Sequence, residues 1–167
     1  MQFQLKKLSS EAKPQALERA ERYRLLNEPV QAESICLDIL AVDPENQQAL
    51  VVLLLALSEQ FGENITEKLD RAWSLLPKLG DEYQQAYYQG ILLERQARLY
   101  MRSEVPGSNF SAYDLFNEAM RLYEKAERLR PPGNDEALLR WNTCARILNA
   151  DPSLRPAAEH HEPSLLE

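Results

Sequence analysis

The 167-residue sequence holds only five glycines, two cysteines and two histidines, and it carries no catalytic signature. Cys36 and Cys144 stand far apart, without the close pairing of a zinc site or a secreted disulfide framework, so a reducing, cytoplasmic setting is expected. Neither His160 nor His161 lies in the body of the chain, and no base sits within a helical turn of Cys144 or the serines. Nucleophilic catalysis at neutral pH therefore has no support. Carboxylates such as Glu18 and Glu21 lie one turn apart but lack a metal-ligand partner, so they read as surface charge. The adjacent histidines lack the further ligands that a shared metal needs. The chain is expected to be neither an enzyme nor a metal or cofactor carrier.

Basic charge is also in deficit: 26 acidic residues against 19 basic ones leave a formal charge of -7. That sign disfavours nucleic acid and anionic membranes as partners. The longest apolar stretch, Ala49 to Leu57, is far short of the roughly 20 residues that cross a bilayer. The opening Met1 to Ser10 lacks the apolar run of about 7–15 residues that a secretory signal needs. What remains, 44% apolar and 27% charged, is the composition of a chain that folds rather than one that stays disordered.

Apolar periodicity divides residues 1–150 into helices. Ala16, Ala20 and Tyr23 mark a first helix over Pro14 to Asn27, ended by Asn27-Glu28-Pro29. A second helix from Val30 buries Ala32, Ile35, Cys36, Ile39 and Leu40, and stops at Asp43-Pro44. A second hairpin pairs the apolar Ala49–Leu57 helix with one carrying Ile65, Leu69, Ala72 and Leu76, around a turn at Phe61 to Asn64. A third begins near Asp81 with Tyr83, Ala86, Tyr87, Gly90, Leu93 and Ala97 on one side of a helix reaching Arg102. Its partner starts near Phe110 and presents Leu115, Ala119, Leu122, Tyr123, Ala126 and Leu129, after a turn-forming cluster at Val105 to Asn109. A last helix, Asn134 to Asn149, presents Leu138, Trp141, Ala145 and Leu148. Seven helices and no strand are predicted, followed by a proline-broken tail over 151–167.

Pro44 and Pro77 lie 33 positions apart, close to the roughly 34-residue period of one helical-hairpin family. Across the first unit Ala20, Tyr23, Ala32 and Pro44 fall at small, aromatic, small and proline places with that family's spacing, and in the second helix of the third unit Ala119, Tyr123, Ala126, Leu129 and Pro131 fall at its small, aromatic, small, apolar and proline places. The chain resembles the tetratricopeptide repeats. The resemblance covers roughly Pro14 to Asn149 and implies an all-α solenoid, an α-α superhelix of about three hairpins plus a C-terminal capping helix. The middle unit departs from it, with Leu54 and Leu57 where a small residue and an aromatic are usual. In the third unit Gly90 and Ala119 hold the small places but stand 29 apart, against about twelve in the family. The insertion is expected to lengthen both helices of that hairpin into a projection.

In such a superhelix the first helices of successive hairpins line a concave groove that holds a peptide or a partner protein. By helical position the groove here receives Leu17, Glu21 and Arg24, then Val51 and Leu55, then Tyr88, Ile91, Glu94 and Arg95, and finally Leu138, Asn142 and Arg146. Tyr87 and Tyr88 point about 100° apart, so one is free to join the core while the other faces a partner. The lysine and asparagine of the family's carboxylate clamp are replaced here by Leu17, Glu21, Val51 and Val52, which disfavours that particular use. Arginines outnumber lysines thirteen to six and crowd the later hairpins, among them Arg95, Arg98 and Arg102 on one helix face. With Glu94, Glu104, Glu118, Glu124 and Glu127 interleaved, that face reads as solvated and salt-bridged. The expected function is non-catalytic protein binding by the groove, by the projecting third hairpin, or by both. A homodimerisation module and a chaperone for secreted or assembling subunits are the alternatives.

Overall fold

A computed structural model describes residues 3–62 and 65–157. Among them are seven α-helices and no β-strand, an all-α fold. After a single 3-10 turn, α1 runs Lys13–Leu25 and α2 runs Pro29–Val42. The chain reverses between them at Asn27, whose positive φ of 60° lets the Glu28 amide donate back to the Tyr23 carbonyl at 2.9 Å. Asparagine tolerates that left-handed geometry, and Pro29 enters the next helix where its missing N–H is not needed. The α3 helix, Gln47–Ser58, is capped by Asn46, which accepts from the Ala49 amide at 3.0 Å. Next come α4, Ile65–Leu75, and a 3-10 turn over Leu76–Lys78.

The third hairpin is long, as the inserted stretch predicts. Its first helix, α5 (Glu82–Met101), starts under an Asp81 side chain that accepts from the Tyr83 amide. Its second, α6 (Ser108–Leu129), starts after Gly107, whose φ of 84° makes the reversal. At 20 and 22 residues these helices are about 30 and 33 Å long. The last helix is α7, Glu136–Ala150.

Two apolar cores result. One is built from α1 to α4, and the other from α5 to α7. They meet at Leu55, Trp73 and Tyr88, which pack against both, while Leu92 of α5 reaches into the first. Small residues let the helices approach: Ala20, Ala32 and Cys36 in the first core, and Gly90, Ala112, Ala119 and Ala126 around Phe116 and Tyr123 in the second. Leu54, at a place where a small residue is usual, is wholly buried in the first core. Both cysteines are free, buried and held as thiols, with burial pushing each up to about 12.

The register of α7 differs in part from the periodicity. It buries Ala137 and Cys144 against α6, leaving Leu138 and Ala145 half-buried at the edge. Leu138 and Ala145 each follow a buried residue by one position, about 100° round the helix, so they fall at the margin of the contact with α6, while Trp141 and Leu148 pack against the second core as the periodicity places them. Leu129 is exposed, and the second core also takes in Leu154, which lies beyond the expected boundary at residue 150. The chain is fixed there by Asn109 Nδ2 donating to Ser153 Oγ at 3.1 Å. The rest of the expected tail, with His160 and His161, lies outside the described residues.

One buried charge in α2 ties that helix to the turn after α3 and to α4. Glu33 receives hydrogen bonds from Lys68 Nζ at 2.9 Å and Gln60 Nε2 at 2.8 Å, and Arg71 pairs with it at 2.7 Å. Burial works to raise its pKa, but the bonds from Lys68, Gln60 and Arg71 outweigh that and hold it below the usual carboxylate value. A folded-state pKa below the unfolded one means this stability is present above about pH 4 and is lost as pH falls through the folded value. The urea midpoint is therefore expected to drop between about pH 6 and about pH 3, and to drop less in Glu33→Gln. An equal drop in both proteins places the acid sensitivity elsewhere.

Candidate interaction face

Two ionic clusters, one on Glu59 and one on Glu94, tie the odd-numbered helices α1, α3, α5 and α7 together, and they meet only through neighbouring residues of α5. At the end of α3, Glu59 receives Arg24 Nε at 3.0 Å and a second Arg24 nitrogen from α1. From α5, Arg95 reaches the same carboxylate at 3.3 Å, donates to the Leu55 carbonyl at 3.0 Å and bonds the Ser58 hydroxyl. Further along α5, Glu94 is only 1% exposed. Tyr123 of α6 donates its hydroxyl to one Glu94 oxygen at 2.7 Å, and Arg98 donates to the other at 2.8 Å. Arg140 of α7 pairs with that second oxygen at 3.5 Å.

The electrostatics of these clusters are strongly coupled. Burial, opposed by Glu59 and reinforced by the neighbouring guanidiniums of Arg24 and Arg140, holds Arg95 below the ordinary arginine value. Arg140 goes the other way: burial lowers it, but Glu94, then Tyr123 and Tyr87, favour its cation more strongly. Burial, then the Glu94 charge beside it, pushes the Tyr123 hydroxyl well above the usual tyrosine value, so it acts as a donor.

Of the residues expected in a groove, the structure brings Arg24 and Arg95 together through Glu59, which periodicity did not single out. Tyr88 lies beside them, half-buried between the two cores, with burial and then Tyr87 pushing its hydroxyl up to about 12. Leu17 is half-buried against the first core and Glu21 is exposed. Tyr87 and Ile91 are core residues, 7% and 3% exposed, and offer no open surface to a partner. Tyr87 stacks on Tyr83 with centroids 5.8 Å apart and meets Tyr88 edge-on at 5.1 Å. Ile91 belongs to the second apolar core.

On α7 the residue that reaches this network is Arg140. Leu138 and Asn142 are each two positions from it, which turns them about 160° away, and Arg146 is exposed on another side. Glu94 also departs from the expected solvated, salt-bridged face: the carboxylate is buried, and only its arginine partners reach water. The i, i+4 spacing of Glu94 and Arg98 is the sequence signal for that pair. No local signal points to Arg140, which arrives from 46 positions away.

A second surface lies on the long hairpin. Ile65, Thr66 and Leu69 of α4 and Gln96, Leu99 and Tyr100 of α5 frame an open cleft of about 400 Å3. None of the helices described is long and apolar enough to cross a membrane. Compared with known proteins, the chain matches no family model, no curated protein and no solved structure.

Proposed function

We propose that this chain is a tetratricopeptide-like scaffold without chemistry of its own, which binds a peptide or a partner protein. The observation that carries the reading is the pair of ionic clusters that meet on α5, Arg24 and Arg95 on Glu59 and Arg98 and Arg140 on Glu94. Together they tie one helix of each hairpin and the last helix to one another, which pre-organises side chains from four helices for a partner. The projecting third hairpin, with Tyr100 and Val105 exposed, is the second contact surface in this reading.

The test is affinity capture from the native cell with three proteins: the intact chain, Tyr88→Ala/Arg98→Ala, and Tyr100→Ser/Val105→Ser. A partner lost only by the first variant assigns the binding to the shared face, and one lost only by the second assigns it to the hairpin. Equal recovery by all three overturns both assignments.

A specific observation favours homodimerisation as the second reading. Leu25, Leu26 and Val30, at the turn between α1 and α2, are 87%, 59% and 62% exposed. Such clustered apolar side chains are typical of association surfaces. A molar mass by light scattering that stays at one chain over a wide concentration range removes this reading.

A further inference from the structure

The face that joins α1, α3, α5 and α7 is unlike the rest of the molecule. The whole chain carries a formal charge of -7, yet four guanidiniums, those of Arg24, Arg95, Arg98 and Arg140, converge here on two carboxylates. The two carboxylates are already committed: Glu94 is buried, and Glu59 is shared between two arginines. Arg24 and Arg95 are committed as well, but Arg98 and Arg140 are only partly so. Their side chains remain 37% and 40% exposed, both share one Glu94 oxygen, and beyond a 3.5 Å approach to it and the Tyr87 hydroxyl Arg140 keeps donor positions open. Arg24 and Arg140 both lie within electrostatic reach of Arg95, like charges on either side of a third. An arriving anion relieves that repulsion and completes the unfilled donor positions, while the half-buried Tyr88 ring alongside offers apolar contact.

From this geometry we infer that the occupant of the face is an acidic segment of a partner protein, whose carboxylates are clamped by Arg98 and Arg140 and whose apolar side chains rest on Tyr88. The inference deepens the scaffold reading and rests on it. A peptide fits better than a nucleic acid. Glu59 and Glu94 are interleaved with the arginines, Glu136 lies near Tyr88, and the chain as a whole is acidic, so a continuous polyanion is repelled beyond the arginines. A short run of spaced carboxylates does not.

The experiment uses the whole chain and two fluorescein-labelled peptides, one alternating Glu and Leu and the other with Gln in place of each Glu. Anisotropy titrations are run at low and at physiological salt, and amide spectra of the unmodified protein locate the contact. The Glu peptide is expected to bind about tenfold or more tightly than its Gln counterpart, to weaken as salt rises, and to shift amides around Arg98 and Arg140. Arg140→Gln is expected to lose about tenfold and Arg140→Lys to lose less, each compared at matched thermal stability.

Equal binding of the two peptides overturns the arginine clamp while leaving the groove reading in place. Shifts confined to the cleft between α4 and α5 overturn the location and move binding to the long hairpin. No shift with either peptide, or displacement of the Glu peptide by a single-stranded oligonucleotide at equal concentration, overturns the inference. In those cases the capture experiment above decides separately whether the chain is a scaffold.

Discussion

Replacing Glu94 by alanine is expected to cost about 2–4 kcal/mol of folding stability. The ion pairs are the smaller part of that figure, because the side chains of Arg98 and Arg140 are more than a third exposed and become hydrated when the carboxylate is gone. The larger part comes from what stays behind in the core. Tyr123 is wholly buried, and its hydroxyl gives its 2.7 Å hydrogen bond to Glu94, so the variant strands a polar group away from water. An unsatisfied buried hydroxyl costs about 1–3 kcal/mol, and the space left by the shortened side chain adds about 1–2 kcal/mol. Urea denaturation of two further variants separates these contributions. Glu94→Gln keeps the volume and an acceptor, and should lose about half as much. In a Tyr123→Phe background, Glu94→Ala should cost clearly less than it does alone, since no hydroxyl remains to be stranded. A loss under about 1 kcal/mol for Glu94→Ala would mean that the carboxylate is solvated and not buried.

Gly90→Ala is the second large effect, and its sign runs against helix propensity. In an unconstrained helix interior the change stabilises by about 1 kcal/mol. Here a Cβ would lie 2.6 Å from Cε1 and 2.9 Å from Cδ1 of Tyr123. The ring has no room to yield, because it is wholly buried and its hydroxyl is tied to Glu94. Overpacking costs about 1–3 kcal/mol, and so short a contact with a ring that cannot yield belongs at about 2–3 kcal/mol, so the net change should be a loss of about 1–2 kcal/mol and a melting temperature lower by roughly 3–8 °C. Gly80→Ala is the control, since its nearest neighbour is the flexible end of Gln47 at 3.8 Å. It should stay within about 0.5 kcal/mol of the parent protein. If shortening Tyr123 to leucine does not abolish the penalty at Gly90, the close approach is not its cause.

Gly90 and Tyr123 also show how far periodicity reaches. Both lie on apolar stripes that recur every three to four residues, and the structure buries both. The same is true of Ala20, Cys36 and Ile39. The turns were equally legible, because Asn27, Pro29 and Gly107 act through local backbone geometry that the residue type sets by itself. On α7 Trp141 and Leu148 pack against the second core as the stripe places them, but the deepest positions are Ala137 and Cys144 and not Leu138 and Ala145. Leu138 and Ala145 are as periodic as Ala137 and Cys144, and only the approach of α6 decides which pair turns inward.

The candidate site was half legible for a related reason. Arg24, Tyr88 and Arg95 could be placed on their helices because a single helix fixes the angle of each side chain. Ile91 was placed on the same face, yet it lies beneath it, and of Tyr87 and Tyr88, only one of which was expected in the core, Tyr87 is the buried one; depth depends on how closely the neighbouring helices approach. Glu59 and Arg140 gave no sign at all. Their partners are 35 and 46 positions away, and nothing in the local pattern encodes such a meeting.

By itself, then, the amino-acid sequence determined seven helices, the turns between them, the lengthened third hairpin and most of each buried stripe. These follow from backbone preference and side-chain spacing, which act over a few residues. The tertiary structure alone decided the register of α7, the burial of Glu33 and Glu94 and the gathering of four arginines on one face. Those depend on which charges meet once water is excluded between helices distant in the chain, where the energy of a pair is set by burial and distance instead of by order along the backbone.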